Sequence, residues 1–182
     1  MPQILVPLAN GFEEIEAISI IDICRRGGLD VVVAGVDGKT AMGAHNIPIV
    51  TDCLITDVNV DKLDMIVLPG GWGGTEVLAS NATVQSILKQ MKKSDKHIAA
   101  ICAAPYALDA AGVLSDNYTC YPSIENKIRI QGYDKNTNTV IDGKVMTSQG
   151  VGTAICFSLE IVKKLNGVDS YNKLKTEILA TC

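Results

Sequence analysis

The sequence has few of the residues that build metal centres and disulfide frameworks. Its 182 residues include only two histidines, His45 and His97. The cysteines are widely and irregularly spaced, with no C-x-x-C pair; they are Cys24, Cys53, Cys102, Cys120, Cys156 and Cys182. Zinc-finger spacing cannot be assembled from this set. We therefore expect no metal site, and in a reducing compartment we expect six free thiols, most of them small core residues.

Long apolar runs and an excess of basic residues are also absent. The longest apolar stretches have the length of a strand, far short of the ~20 residues that span a membrane. With 16 basic and 20 acidic residues, the net charge of −4 offers nothing to nucleic acid or to an anionic membrane. The first four residues show no basic and apolar leader. We expect a cytoplasmic protein with no nucleic-acid or membrane partner.

Nucleotide-binding loops are missing as well. The glycine-rich segment at 69–74 reads G-G-x-G-G rather than G-x-G-x-x-G, and no G-K-[ST] follows it. This segment therefore predicts neither a dinucleotide site nor a P-loop.

The pattern of apolar residues predicts one domain, residues 1–182, of the α/β class. Its length and 47% hydrophobic content suit a single core. Strands are predicted at 3–7, 30–35, 64–68 and 97–101, with shorter pieces at 47–50, 53–55, 118–121, 139–141 and 144–147. Helices are predicted at 13–26, 84–93, 103–111, 153–165 and 171–179. This alternation indicates a doubly wound, mostly parallel sheet sandwiched by helices, whose active crevice lies at the carboxyl ends of the strands.

Cys102 is the leading candidate for a reactive side chain. It follows the apolar run 98–101 and precedes Ala103-Ala104-Pro105, which predicts a strand, a tight turn and a helix start. A helix N-terminus and free backbone N–H groups favour a thiolate, so we expect a lowered thiol pKa. The alternative is a buried cysteine in a tight corner between sheet and helix.

A partner for this thiol is harder to find. His97 lies five residues upstream on the same strand, roughly 16 Å away at ~3.3 Å per residue. No histidine follows it, and the position of His45, in an early loop, cannot be derived. A cysteine–histidine dyad of the peptidase or amidotransferase kind is therefore disfavoured.

Glutamates at the start of the first long helix are the next candidates. Acidic residues in a first turn often only complement the helix dipole. On a helical wheel, however, Glu16 falls on the apolar arc beside Ile20 and Ile23, whereas Glu14 falls toward its edge and Glu13 points inward at the frayed end. Burial would raise the pKa of Glu16 and let it donate a hydrogen bond. Backbone N–H groups of Gly71 and Ala103 could complete an oxyanion pocket.

Four segments together resemble the ThiJ/PfpI superfamily, and within it the branch of the parkinsonism-associated protein deglycase and bacterial YajL. They are Glu13-Glu14-Ile15-Glu16, Leu68-Pro69-Gly70-Gly71, Ala99-Ala100-Ile101-Cys102-Ala103-Ala104-Pro105 and Thr147-Ser148-Gln149-Gly150 with Gly152-Thr153. The resemblance implies a flavodoxin-like fold, usually in a homodimer. It also implies that Cys102 is the oxidation-sensitive nucleophile, Glu16 its protonated partner, and Gly71 and Ala103 the N–H donors.

Two functions follow from this resemblance. The first is a glyoxalase or deglycase that needs no cofactor and acts on methylglyoxal-like dicarbonyls or their early adducts, such as a glycated substrate. The second is a non-catalytic redox sensor or oxidative-stress chaperone that operates through oxidation of Cys102. The thiazole-biosynthesis label of some relatives has no support in these residues.

One position departs from some members of the family. Tyr121 stands before Pro122 where those members carry histidine, so no Cys–His pair is available. Tyr121 and Pro122 are expected to form a pocket wall, although the Tyr121 hydroxyl could donate a hydrogen bond.

Cys120 is either a resolving thiol for oxidised Cys102 or a core cysteine. His45 occupies a loop position that is basic in some relatives, which weakens any role in anion binding.

Overall fold

A computed structural model describes residues 1–182, which form nine strands and five α-helices. The strands are β1 Gln3–Leu8, β2 Asp30–Gly35, β3 Thr40–Met42, β4 Pro48–Val50, β5 Cys53–Leu54, β6 Met65–Leu68, β7 His97–Ile101, β8 Thr139–Asp142 and β9 Val145–Ser148. The helices are α1 Glu14–Arg26, α2 Trp72–Ser80, α3 Ala82–Lys93, α4 Pro105–Ala110 and α5 Ala154–Glu177.

Seven of the strands form one sheet in the order β5-β2-β1-β6-β7-β9-β8, and β3 and β4 form a separate hairpin. All neighbouring strands of the sheet are parallel except β8 and β9. The predicted doubly wound, mostly parallel α/β arrangement is confirmed.

The central strands are apolar on both faces because helices cover both. Ile4 and Val6 of β1 join a core cluster with residues of α1 and α5. Leu5, between them, joins a second cluster with residues of α3 and α4. Successive side chains of a strand point to opposite faces, so continuous apolar runs are what a doubly covered sheet requires.

The register of the sheet brings the functional loops together. Leu68 of β6 pairs with Ala100 of β7, and Ile101 pairs with Ser148 of β9. The loops that follow these strands therefore leave the sheet at one edge. Helix α1 begins at the same edge after β1, where Glu13 N–H donates to the Gly70 carbonyl.

The structure differs from the sequence predictions in three local elements. The glycine-rich loop is shorter than predicted, because α2 begins at Trp72 and contains Gly73 and Gly74. Strand β3 was not predicted, because its three residues lie in a turn-rich stretch. Residues 118–121 form no strand; Tyr118 makes only an isolated bridge to Tyr133.

The region of helix α5 differs most from the sequence predictions. The backbone breaks at Gly167 (φ 87°), which accounts for the two separate helices that the sequence predicts. Near its start, Cys156 forms a disulfide with Cys182, so the expectation of six free thiols is wrong. The sequence did not predict this pairing, because the two cysteines are 26 residues apart and meet only when the chain turns back on itself after Cys156. No helix, α5 included, is both long enough and apolar enough to cross a membrane.

Candidate active site

Cys102 occupies a strained turn directly after β7. Its φ of 64° lies in the left-handed region that non-glycine residues seldom adopt. The turn is held on both sides, because Cys102 N–H donates to the Ser148 carbonyl at 2.9 Å and Tyr121 N–H donates to the Cys102 carbonyl at 2.8 Å. The side chain is partly buried. Such a well-supported outlier is typical of functional sites.

Glu16 reaches this turn from α1 and is fully buried. Its Oε2 accepts the Gly70 N–H at 2.9 Å, whereas its Oε1 is buried with no hydrogen-bond partner. Glu13 caps the helix by accepting the Glu16 N–H at 2.8 Å, so this end is ordered rather than frayed. A Cβ at Gly70 would lie 2.6 Å from both Cys102 Cβ and Glu16 Oε2, so glycine leaves the space in which the carboxyl and the thiol meet.

Burial controls the protonation of both groups. It raises the pKa of Glu16 to about 7, although the Gly70 N–H and the Cys102 thiol favour the carboxylate. Burial and the negative charge of Glu16 raise the pKa of Cys102 to about 12, against the opposing effect of the Gly71 and Ala103 N–H groups. The expectation of a lowered thiol pKa is therefore wrong, because burial and the Glu16 carboxyl outweigh the N–H groups at the turn. The sulfur is most readily ionised when Glu16 keeps its proton, since the repulsion is then absent.

The thiol opens into a cleft of about 330 Å³. Tyr121 and Pro122 line one side, and 54% of Tyr121 is exposed. Residues 149–153 line the other side. Gly150 lies close to both Tyr121 and the buried carboxyl, because a Cβ there would be 3.4 Å from the Tyr121 ring and 4.0 Å from Glu16 Oε1. The cleft has room for a small molecule.

The remaining residues that the sequence singled out differ in their distance from Cys102. The backbone N–H groups of Gly71 and Ala103 favour the ionised form of the Cys102 thiol and oppose the rise in its pKa. Cys120 is fully buried beside Tyr118 and Ile124, in a small cluster against which Cys102 also packs. His97 begins β7 and is remote from the site, as predicted.

Glu14 anchors the 45–47 loop, a role that sequence reasoning missed. It is buried, and its carboxylate accepts the His45 N–H at 2.6 Å and lies 2.8 Å from His45 Nδ1. Burial alone would raise the pKa of Glu14, but the hydrogen bonds from His45 and Ile47 lower it. Glu13, Glu14 and His45 form the one group whose atoms could hold a metal ion. Because Glu14 already bonds the 45–47 loop and Glu13 caps α1, we assign this group a structural role.

Comparison with known proteins places the site in a family. The chain matches the model of the DJ-1/PfpI family over residues 2–164. The chain belongs to the DJ-1/PfpI family. It is 38% identical to the DJ-1/PfpI relative "Glutathione-independent glyoxalase DJR-1.2" of Caenorhabditis elegans, over 94% of this chain and 91% of that protein.

Solved structures of DJ-1 proteins share the whole fold. The crystal structure of Drosophila melanogaster DJ-1beta matches with a TM-score of 0.96 and 35% identity, covering 100% of this chain and 99% of that one. Oxidized Toxoplasma gondii DJ-1 matches with a TM-score of 0.95 and 33% identity, covering 100% of both chains. The chain spans 38% of the length of Arabidopsis thaliana "Protein DJ-1 homolog B", to which it is 38% identical over 168 residues.

Proposed function

We propose that this protein is a cysteine-dependent glyoxalase or deglycase that acts on methylglyoxal-like dicarbonyls or their early adducts. The main support for this proposal is that the buried Glu16 carboxyl adjoins the Cys102 thiol at the base of an open cleft. A thiol supplies the nucleophile, and a carboxyl with a pKa near neutrality can both give and take protons. The Caenorhabditis elegans relative, named a glutathione-independent glyoxalase, supports this reaction class.

The reaction proceeds from the minor form of the pair, in which Glu16 holds the proton and the Cys102 sulfur carries the negative charge. The sulfur attacks the aldehyde carbon of methylglyoxal, and Glu16 protonates the aldehyde oxygen, which gives a hemithioacetal. The Gly71 and Ala103 N–H groups stabilise the charge on sulfur and then on the carbonyl oxygen.

Rearrangement and hydrolysis complete the cycle. The Glu16 carboxylate removes the proton from the carbon bound to sulfur and returns it to the neighbouring carbon, while the hydroxyl proton of the hemithioacetal moves to the oxygen of that neighbouring carbon, which leaves a thioester. Water then attacks the thioester, Glu16 accepts a proton from the water, and the Cys102 thiolate departs. One methylglyoxal and one water become one lactate and one proton, so no cofactor is consumed.

The test is methylglyoxal consumption together with lactate formation. We expect Cys102→Ser to abolish both, at an unchanged circular dichroism spectrum and melting temperature. Cys53→Ser is the matched control, because Cys53 is a free thiol of β5 outside the cleft. Full activity in the Cys102→Ser protein would overturn the proposal.

A second candidate function is redox sensing by the same thiol. Cys102 lines the cleft, whereas the free thiols Cys24 and Cys120 are fully buried. Two equivalents of peroxide would convert the Cys102 thiol to a sulfinic acid and release two waters, and a protonated Glu16 could donate to a sulfinate oxygen. Peptide mass spectrometry after graded peroxide should show sulfinic acid at Cys102 first. Equal oxidation of all four free cysteines would count against this role.

A further inference from the structure

The walls of the Cys102 cleft carry no charged side chain. The lining consists of Cys102, Tyr121, Pro122 and residues 149–153, which include no lysine, arginine, histidine, aspartate or glutamate. At the base of the cleft, the Glu16–Cys102 pair carries one negative charge in its reactive form. A carboxylate that entered would lose water without meeting a cation, and the charge at the base would repel it. The cleft therefore suits neutral molecules.

Two apolar side chains that are open to solvent line the cleft on opposite sides. Tyr121 is 54% exposed on one side, and Val151 is 41% exposed on the other. The volume of about 330 Å³ falls in the size range of pockets for ligands larger than methylglyoxal. A flat apolar group between the Tyr121 ring and Val151 would remove apolar surface of both walls from water.

Hydrogen bonds hold both walls in place. On one side, the Tyr121 N–H donates to the Cys102 carbonyl at 2.8 Å. On the other side, the N–H and the hydroxyl of Thr153 both donate to the Gly150 carbonyl at 2.9 Å, and Val151 lies within this turn. A slot that is already ordered loses little conformational entropy when a ligand binds, so its shape can discriminate between substrates.

We propose that the cleft selects neutral α-ketoaldehydes whose ketone bears an apolar group larger than methyl, aryl in preference, and excludes those that bear a carboxylate. This inference rests on the proposed function and names its substrate class. With the aldehyde carbon at the Cys102 sulfur, the group on the ketone extends between Tyr121 and Val151, which are the specificity-determining residues. One phenylglyoxal and one water become one mandelate and one proton, by the steps given above for methylglyoxal.

Turnover of two substrates tests the apolar walls. We expect kcat/KM for mandelate formation from phenylglyoxal to exceed that for lactate formation from methylglyoxal by roughly tenfold. Tyr121→Ala should lower this ratio roughly fivefold and Val151→Asn roughly threefold, whereas Tyr121→Phe keeps the ring and should keep the ratio. A wild-type preference for methylglyoxal, or an unchanged ratio in both Tyr121→Ala and Val151→Asn, would overturn the proposal and leave the glyoxalase function intact.

Alkylation of Cys102 tests the same selection without turnover. Rates with N-benzyl-2-iodoacetamide, iodoacetamide and iodoacetate would be followed by peptide mass spectrometry, each divided by the rate of 2-mercaptoethanol with that reagent. We expect the normalised rates to fall in that order, with roughly tenfold between iodoacetamide and iodoacetate. Equal normalised rates would overturn the proposal. This order without turnover of either dicarbonyl would contradict the proposed function alone and leave the selectivity of the cleft standing.

Variants that change charge complete the test. Val151→Lys adds a cation to the wall, so it should raise the iodoacetate rate relative to the iodoacetamide rate roughly threefold over Val151→Gln. Lys127 ends the 3-10 turn that follows Pro122, and its Nζ lies 4.9 Å from the centroid of the Trp72 ring. Lys127→Gln should change the same ratio by less than about twofold. Equal ratios in the two Val151 variants, or a larger fall in Lys127→Gln, would overturn the exclusion of carboxylates.

Discussion

Glu16 and Cys102 meet in the space that Gly70 leaves open. One carboxyl oxygen of Glu16 accepts the Gly70 N–H, and the other is buried without a hydrogen-bond partner. A negative charge on one group raises the cost of a negative charge on the other, so the pair releases its protons in two well-separated steps. Predictions for activity, stability and reactivity follow from this relationship.

Glu16→Gln should separate proton transfer from thiol reactivity. Glutamine keeps an acceptor for the Gly70 N–H but cannot exchange protons, so turnover of methylglyoxal should fall by about 10²-fold or more. Alkylation of Cys102 by iodoacetamide should accelerate near pH 8, because the negative neighbour is gone and the thiol pKa falls. Glu76→Gln, at an exposed position of α2, is the control. Slower alkylation in Glu16→Gln would show that Glu16 promotes the thiolate instead.

Stability should depend on pH through Glu16. Its pKa rises from 4.5 to about 7 on folding, so its stabilising contribution is complete below pH 4.5 and is lost as the pH rises through 7. The free energy of unfolding of the wild type, minus that of Glu16→Gln, should fall by about 3 kcal/mol between pH 4.5 and 7.5. Urea unfolding at several pH values measures this difference. The same subtraction with Glu76→Gln should give a flat line, and a flat line for Glu16→Gln would contradict the prediction.

Gly70→Ala should disrupt the site although it replaces neither Cys102 nor Glu16. The new Cβ would fall 2.6 Å from Cys102 Cβ and Glu16 Oε2, which forces the two side chains apart. We expect a loss of about 1–3 kcal/mol in unfolding free energy and nearly complete loss of turnover. Gly38→Ala is the matched control, because a Cβ there meets nothing within 4 Å. Wild-type turnover in Gly70→Ala would show that the close approach is dispensable.

Glu14→Ala should loosen the 45–47 loop while α1 remains folded. The His45 and Ile47 N–H groups lose their acceptor, so their amide hydrogen exchange should accelerate, with about 1–3 kcal/mol of destabilisation. His45→Ala is the milder comparison, because it removes an exposed ring and leaves both backbone bonds in place. Unchanged protection at residues 45 and 47 would show that other contacts hold the loop.

Local sequence patterns predicted those features that depend on the residues of a single strand or helix. The apolar runs of β1, β6 and β7 predicted buried parallel strands, and the wheel position of Glu16 predicted its burial. The same reasoning did not predict α2, because glycine at 73 and 74 is unfavourable within a helix on intrinsic propensity. The helical wheel placed Glu14 only toward the edge of the apolar arc and did not predict its burial. The loop at 43–47 that covers Glu14 comes from a distant part of the chain.

By itself, the sequence determined the α/β alternation, the tight turn at Cys102 and the exclusion of His97, since each depends on residues adjacent in the chain. Only the tertiary structure decided the protonation of the Glu16–Cys102 pair, because burial depends on every element that closes over it. It also decided the Cys156–Cys182 bond and the cleft wall at 149–153. These features bring together residues far apart in the chain, which no local pattern records.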